Sequence, residues 1–290
     1  MPLRKCEVAG MFYPDGEMEC IDLIMYCMNK AGKVKRNNDA VGAMVPHAGW
    51  VYSGHVAAKA LMAIEPTQAP DLFVILGAVH HPGVDRMSVF PSGAWSSPLG
   101  PVDVDSDAAD AVLAEKKIGA IPSARAHDKE HSIEVIVPFI AYMFPQAKIL
   151  PIACPPSHFS FESGAHLAKS LRRLGKRIFF IASSDLTHYG FAYGLTSQGI
   201  GPEAEKWVME TNDGELLRRL EILDGERIVE HIEATRCACG PGAIAVTLGA
   251  CMTLGAKRGV LMEHTNSLVA TRDSYSKHNF VSYASMIFVS

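Results

Sequence analysis

A chain of 290 residues, 48% of them hydrophobic, can build one large α/β domain or two small ones, and wholesale disorder is excluded. With 27 basic and 31 acidic residues the net charge is −4, which leaves no electrostatic footprint for nucleic acid or an anionic membrane. No apolar run has the length of a bilayer span, and the N-terminus lacks the apolar core of a secretory signal, so a cytoplasmic protein is expected.

Apolar residues Met18, Ile21, Ile24, Met25 and Met28 follow a helical period between Asp15 and Lys30, and Gly32 stands where a C-terminal cap belongs. Ala40 to Val45 reads as a buried strand running into Pro46-His47-Ala48-Gly49, with a helix expected from His55 to Ile64. Asp71 to Leu76 is a second buried strand, ending in Gly77-Ala78-Val79-His80-His81-Pro82-Gly83. A short segment at Met87 to Phe90 and a helix from Ser106 to Lys116 follow. The stretch His131 to Met143 has helical spacing, with a kink expected at Pro138. Lys148 to Ala153 is strand-like, Phe161 to Leu174 helical, and Arg177 to Ala182 another β run, ending in Ser183-Ser184-Asp185-Leu186-Thr187-His188. Three helical segments from Pro202 to Thr235 lead to Cys237-Ala238-Cys239-Gly240-Pro241-Gly242 and a small-residue helix from Ala243 to Leu254. Strands at Gly259 to His264 and Phe280 to Val289 close the chain. The alternation predicts an α/β fold with a mixed, largely parallel sheet flanked by helices. With no composition break, linker or repeat, residues 1–290 read as a single domain.

Seven cysteines with no C-x-x-C pair argue against a disulfide framework or a four-cysteine zinc knuckle. The chemistry concentrates instead where strands end. In open α/β sheets ligands gather beyond the carboxyl ends of the strands, so His47, His80, His81 and His188 are expected to converge. His47 alone reads equally as a turn residue bonded to backbone. Of the adjacent pair His80 and His81, one imidazole faces a given metal; the other orients a neighbour, binds substrate or faces solvent. Cys239 lies at or just before a helix N-terminus, where free N–H groups and the helix dipole favour a thiolate, a ligand or nucleophile; an inert core thiol is the plainer alternative. Asp185 and His188, three residues apart, suit acid–base chemistry, although Asp185 is also a credible turn cap. Glu130-His131-Ser132-Ile133-Glu134 lacks the second His of an H-E-x-x-H zinc site, so His131 is placed beside the site in preference to on the metal. Gly240-x-Gly242-x-x-Ala245 follows helices and carries Pro241 between its glycines, so a dinucleotide fingerprint is rejected.

These blocks, in this order, resemble the Memo family, whose prokaryotic members are also called AmmeMemoRadiSam system protein B. The matching residues are Pro46-His-Ala-Gly-Trp-Val-Tyr-Ser-Gly54, Leu76-Gly-Ala-Val-His-His81, Glu130-His-Ser-Ile-Glu134, Ser183-Ser-Asp-Leu-Thr-His-Tyr-Gly190 and Cys239-Gly240. The resemblance implies a fold like that of class III extradiol ring-cleaving dioxygenases. It also implies metal ligands at His47, His80 and Cys239 and an acid–base residue at His188 with Asp185 beside it; His81, Glu130 and His131 are expected around the pocket. Fe(II) is the metal it favours, and two imidazoles with a thiolate also suit Cu or Zn. The leading expectation is a non-haem iron redox enzyme acting on a small molecule. The alternatives are a non-catalytic metal-binding or signalling protein using the same pocket, and a thiol hydrolase pairing Cys239 with His188. Prokaryotic members are encoded with a radical-SAM protein, which implies a functional link to one.

Overall fold

In a computed structural model the structure describes residues 2–271 and 278–290. At its centre four parallel strands, Ala40–Val45, Ile178–Ser183, Leu72–Gly77 and Lys148–Ala153, lie side by side in that order. The sheet becomes antiparallel outward, through Asn279–Val289 with Arg258–Asn266 and His188–Gly190 on one side and Ser88–Val89 on the other. The expected mixed sheet is therefore parallel in its core and antiparallel where the flanking strands join it, with Ile121–Pro122 added parallel to Ser88–Val89 at one edge.

The central strands are apolar on both faces because helices cover both. Side chains alternate accordingly: Phe73 and Ile75 pack into one buried cluster with helices Glu17–Ala31 and Trp50–Met62, whereas Leu72, Val74 and Leu76 pack into the other with helices Ser160–Arg172 and Pro241–Thr253. The last two helices touch through small residues. A Cβ on Gly164 would run into the carbonyl of Val246, and one on Gly249 into that of Phe161. That close approach explains the small-residue composition of Pro241–Thr253 and sets the height at which Cys239 enters.

Most expected elements form within a few residues of their predicted bounds, with two corrections. The helix expected from His55 starts at Trp50, so the His47 loop passes straight into it through Gly49. Pro138 does not kink a helix running from His131. A 3-10 turn at Glu134–Ile136 comes first, and the α-helix Val137–Met143 starts with Pro138 in its first turn, where a missing N–H costs nothing. Among the described residues no helix is long and apolar enough to cross a membrane.

Register carries the fold to the site. Val45 and Gly77 both pair with Ser183, and Gly77 pairs with Ala153, so four strand ends stop at one level. Residues just beyond that level share one crevice: His47, His80 and Asp185.

Candidate metal centre

Among the described residues, the His47, His80 and His131 ligand atoms all lie within 4.8 Å of one another. The His80 and His131 rings stack with centroids 4.6 Å apart, and His47 stands edge-on to both at 5.1 and 5.3 Å. His131, read from sequence as a pocket residue, thus belongs to the trio itself. Cys239 stands against it, its Sγ 3.2 Å from His47 Nε2.

Hydrogen bonds fix which nitrogen each imidazole presents. Ser183 Oγ donates to the carbonyl of Ser132, so it accepts from His47 Nδ1 at 3.0 Å, leaving His47 Nε2 as the lone-pair nitrogen on the Cys239 side. His80 Nδ1 donates to Glu130 Oε1 at 2.9 Å, and the same buried carboxylate accepts from the backbone N–H groups of His80 and Ser132. A carboxylate on one ring nitrogen, with the other turned to the site, is the support that metal-binding histidines use. Glu130 also lies 3.7 Å from His81 Nδ1 and 3.8 Å from His131 Nδ1, so one carboxylate anchors His80 and stands near two further imidazoles. His81 stays outside the trio, its Nε2 buried without a partner among the described residues.

The electrostatics follow from this packing. Burial opposes a charge on His80, but hydrogen bonds to Cys239 and Glu130 outweigh it and raise the imidazole to about 10. Burial also opposes a Cys239 thiolate, yet His47 and His80 facing it hold the thiol at about 6. His47 is itself pushed down by burial, while the Cys239 thiolate beside it favours its charged form; it is the first partner of the thiolate and His80 the second. Burial, aided by the charge of His80, takes His131 down to about 4, keeping its lone pair available. Glu130 is pushed up by burial but held well below the usual carboxylate range by His80 and the backbone donors.

Cys239 reaches the crevice as expected, immediately before the Gly240 cap of Pro241–Thr253. A Cβ on Gly242 would collide with the carbonyls of Cys154 and Pro155, so glycine lets the helix start abut the strand end. The Asp185 N–H donates to Cys239 Sγ at 3.3 Å, and Asp185 Oδ1 accepts from the N–H groups of His47 at 2.7 Å and Ala48 at 3.2 Å. Asp185 therefore caps the backbone of the distant His47 loop, where the sequence position suggested a cap of its own turn, and is a wall of the site as well. His188 donates from Nδ1 to the carbonyl of Leu186, which leaves Nε2 uncommitted, and its ring stands edge-on to Tyr193. His131, Asp185 and His188 together line a cavity of about 450 Å³ with Phe12, Tyr52 and Tyr283.

Two features had no signal in the sequence. Ser183 was visible only as one of two serines before Asp185, and its partner Ser132 is far away in the chain. Buried Asp213 follows a single π-helical turn, Val208–Asn212, accepts from Thr187 Oγ1 and bonds His264 Nε2 at 2.9 Å, bracing the loop that carries His188.

Comparison with known proteins decides the family. A sequence model described as "Memo-like protein" matches residues 4–287.

The chain belongs to the Memo family. The MEMO1 family protein of Pyrococcus furiosus is 31% identical over 292 residues, covering 98% of each chain. That of Pyrobaculum aerophilum is 34% identical over 297 residues and 99% of each, and that of Thermoplasma volcanium 33% over 273 residues, covering 93% of this chain and 94% of its own. An uncharacterised protein from Escherichia coli K12 superposes with a TM-score of 0.51 over 84% of this chain and 98% of its own, at 13% identity, a likeness of fold alone. The arrangement is the α/β fold, with a mixed sheet flanked by helices, expected from the sequence, and its His trio has the geometry to hold one metal ion.

Proposed function

We propose that this Memo-family protein is a metal-dependent redox enzyme holding one Fe(II) and acting on a small organic substrate in the adjoining cavity. The observation that carries the reading is the set of donors left over once each imidazole's supporting bond is counted. His47 and His80 are anchored through Nδ1, and Cys239 faces both rings. His47, His80 and Cys239 would be the ligands, with His131 the neutral imidazole next in reach. Three protein ligands leave coordination positions open, which suits a reactive centre better than a structural one. Bound there, Fe(II) would supply a site for O2 and the substrate and a source of electrons.

The chain's own residues supply the rest. Glu130 fixes the His80 ring and balances its charge. Ser183 fixes the tautomer of His47. Asp185 ties the His47 loop to the Cys239 loop. His188, with Nε2 free on the cavity side, is placed to move a proton at the substrate.

Oxygen uptake tests the reading. Iron-loaded protein, screened anaerobically for small molecules that bind and then exposed to air, should consume O2 with at least one of them. Uptake should stop in His80→Ala together with the iron, and fall in His188→Ala with the iron retained. Iron-loaded protein that consumes no O2 with any bound compound contradicts it.

The low pKa of Cys239 supports a second reading, a metal-independent thiol enzyme. The imidazoles that touch the thiol are His47 and His80, so its base would be one of these. Activity surviving a chelator and lost in Cys239→Ala would select it.

A further inference from the structure

Asp185 has an unfinished hydrogen-bond account. Burial pushes the Asp185 carboxyl up, the facing His188 and the two backbone N–H groups that Oδ1 accepts work against that, and Oδ2 has no hydrogen-bond partner among the described residues. The residue is only 4% exposed, and what exposure it has opens into the 450 Å³ cavity. A largely buried carboxylate oxygen without a protein donor is satisfied only by water or by a ligand that enters the cavity.

The rest of the wall is suited to a cation. Phe12, Tyr52, Tyr193, Phe280 and Tyr283 line the same space, and among the described residues the lining holds no Lys or Arg, its basic groups being the imidazoles of His131 and His188. Aromatic faces attract ammonium groups by their quadrupoles, most strongly where water is excluded. Tyr52 and Tyr193 stand at the mouth, 36% and 37% exposed, whereas Tyr283 is buried deeper. The volume falls in the range of small-molecule sites.

We propose that this cavity selects a substrate bearing a protonated amine on a compact, largely apolar body, with the ammonium donating to Asp185 Oδ2 against the tyrosine wall. Such a substrate gives Oδ2 a donor and leaves the rest of its surface to Phe12, Tyr193 and Phe280. The inference deepens the proposed function by naming a substrate class for the same site, and it rests on the cavity, independent of the metal.

Three probes of nearly one shape separate charge from shape: 2-phenylethylamine, 2-phenylethanol and 3-phenylpropionate, titrated calorimetrically into the metal-free full chain at pH 7.5. Using metal-free protein keeps a failure here apart from a failure to load metal. The amine should bind at least about tenfold tighter than the alcohol, as a charged hydrogen bond warrants, and the acid weakest of the three. Asp185→Asn keeps the Oδ1 acceptor for His47 and Ala48 while turning Oδ2 into a donor, and should erase the preference. Tyr52→Ala, at the exposed mouth, should weaken the amine about two- to fivefold and the alcohol less. Should Asp185→Asn fail to fold by circular dichroism, the wild-type ranking and Tyr52→Ala decide. Equal binding of amine and alcohol, tightest binding of the acid, or no saturable binding of the amine overturns the proposal.

Discussion

Glu130 and Glu134 lie one helical turn apart in sequence, and both are fully buried, yet their surroundings differ completely. Glu134 pairs with Arg4 and accepts from the N–H groups of Glu7 and Val8 and the hydroxyl of Tyr13, closing the N-terminal segment onto the body of the fold. Arg4 is itself clamped by the carbonyls of His127 and Glu130 and stacks on Trp95. Glu130 faces the opposite way and gathers His80, with His81 and His131 at longer range. One carboxylate spends its lone pairs on fixed donors of the scaffold. The other spends them on groups that change protonation or bind a ligand. Burial alone does not distinguish a structural acid from a functional one; the partners do.

The sharpest way to break this contrast is to remove each carboxylate in turn. Glu134→Ala leaves Arg4 buried and unpaired and should destabilise the chain by about 3–5 kcal/mol in urea denaturation, with metal bound per folded molecule unchanged. Glu130→Gln should do the reverse. The anchor of His80 weakens, so metal affinity should fall by about 10–100-fold in calorimetric titration while the denaturation midpoint moves far less. If Glu134→Ala lowers affinity in the folded protein as much as Glu130→Gln does, the division is wrong.

Cysteines extend the comparison. Burial raises the six thiols outside the site, Cys20, Cys27 and Cys237 to about 12. Cys239 alone is held down, at about 6. A depressed acid is ionised above its folded pKa, so iodoacetamide labelling of metal-free protein at pH 7 should fall on Cys239, with its rate rising through a midpoint near pH 6. Bound metal should suppress it. A midpoint near 9 would show that His47 and His80 do not stabilise the thiolate. The smallest effect is expected from Ser183→Ala, which frees His47 Nδ1 without touching a ligand atom. Metal affinity should drop about fivefold, the worth of one neutral hydrogen bond.

Much of this is legible in the sequence alone. Buried runs such as Ala40 to Val45 and Lys148 to Ala153 announce central strands because both faces are covered, and the residues after them announce the crevice. Cys239 was placed at its helix start by Gly240 and Pro241. His131 was underweighted because its role depends on the stacking of two rings from distant loops, which no local spacing encodes. The start at Trp50 was missed because small and aromatic residues there gave no apolar period. Pro138 was misread because its position in a helix is known only once the preceding 3-10 turn is seen. Ser183, Asp213 and His264 act through partners far away in the chain, and a single sequence does not pair them.

The central claim is that the crevice at the strand ends is built to hold one metal ion. Metal analysis of anaerobically purified, iron-reconstituted protein, beside His47→Ala, His80→Ala, Cys239→Ala and the buried control His127→Ala, tests it most directly. The account predicts close to one ion per chain in the wild type and in the control, and loss in the three site variants. Folded wild-type protein that retains no metal after reconstitution, or site variants that keep it at full occupancy, would contradict the account.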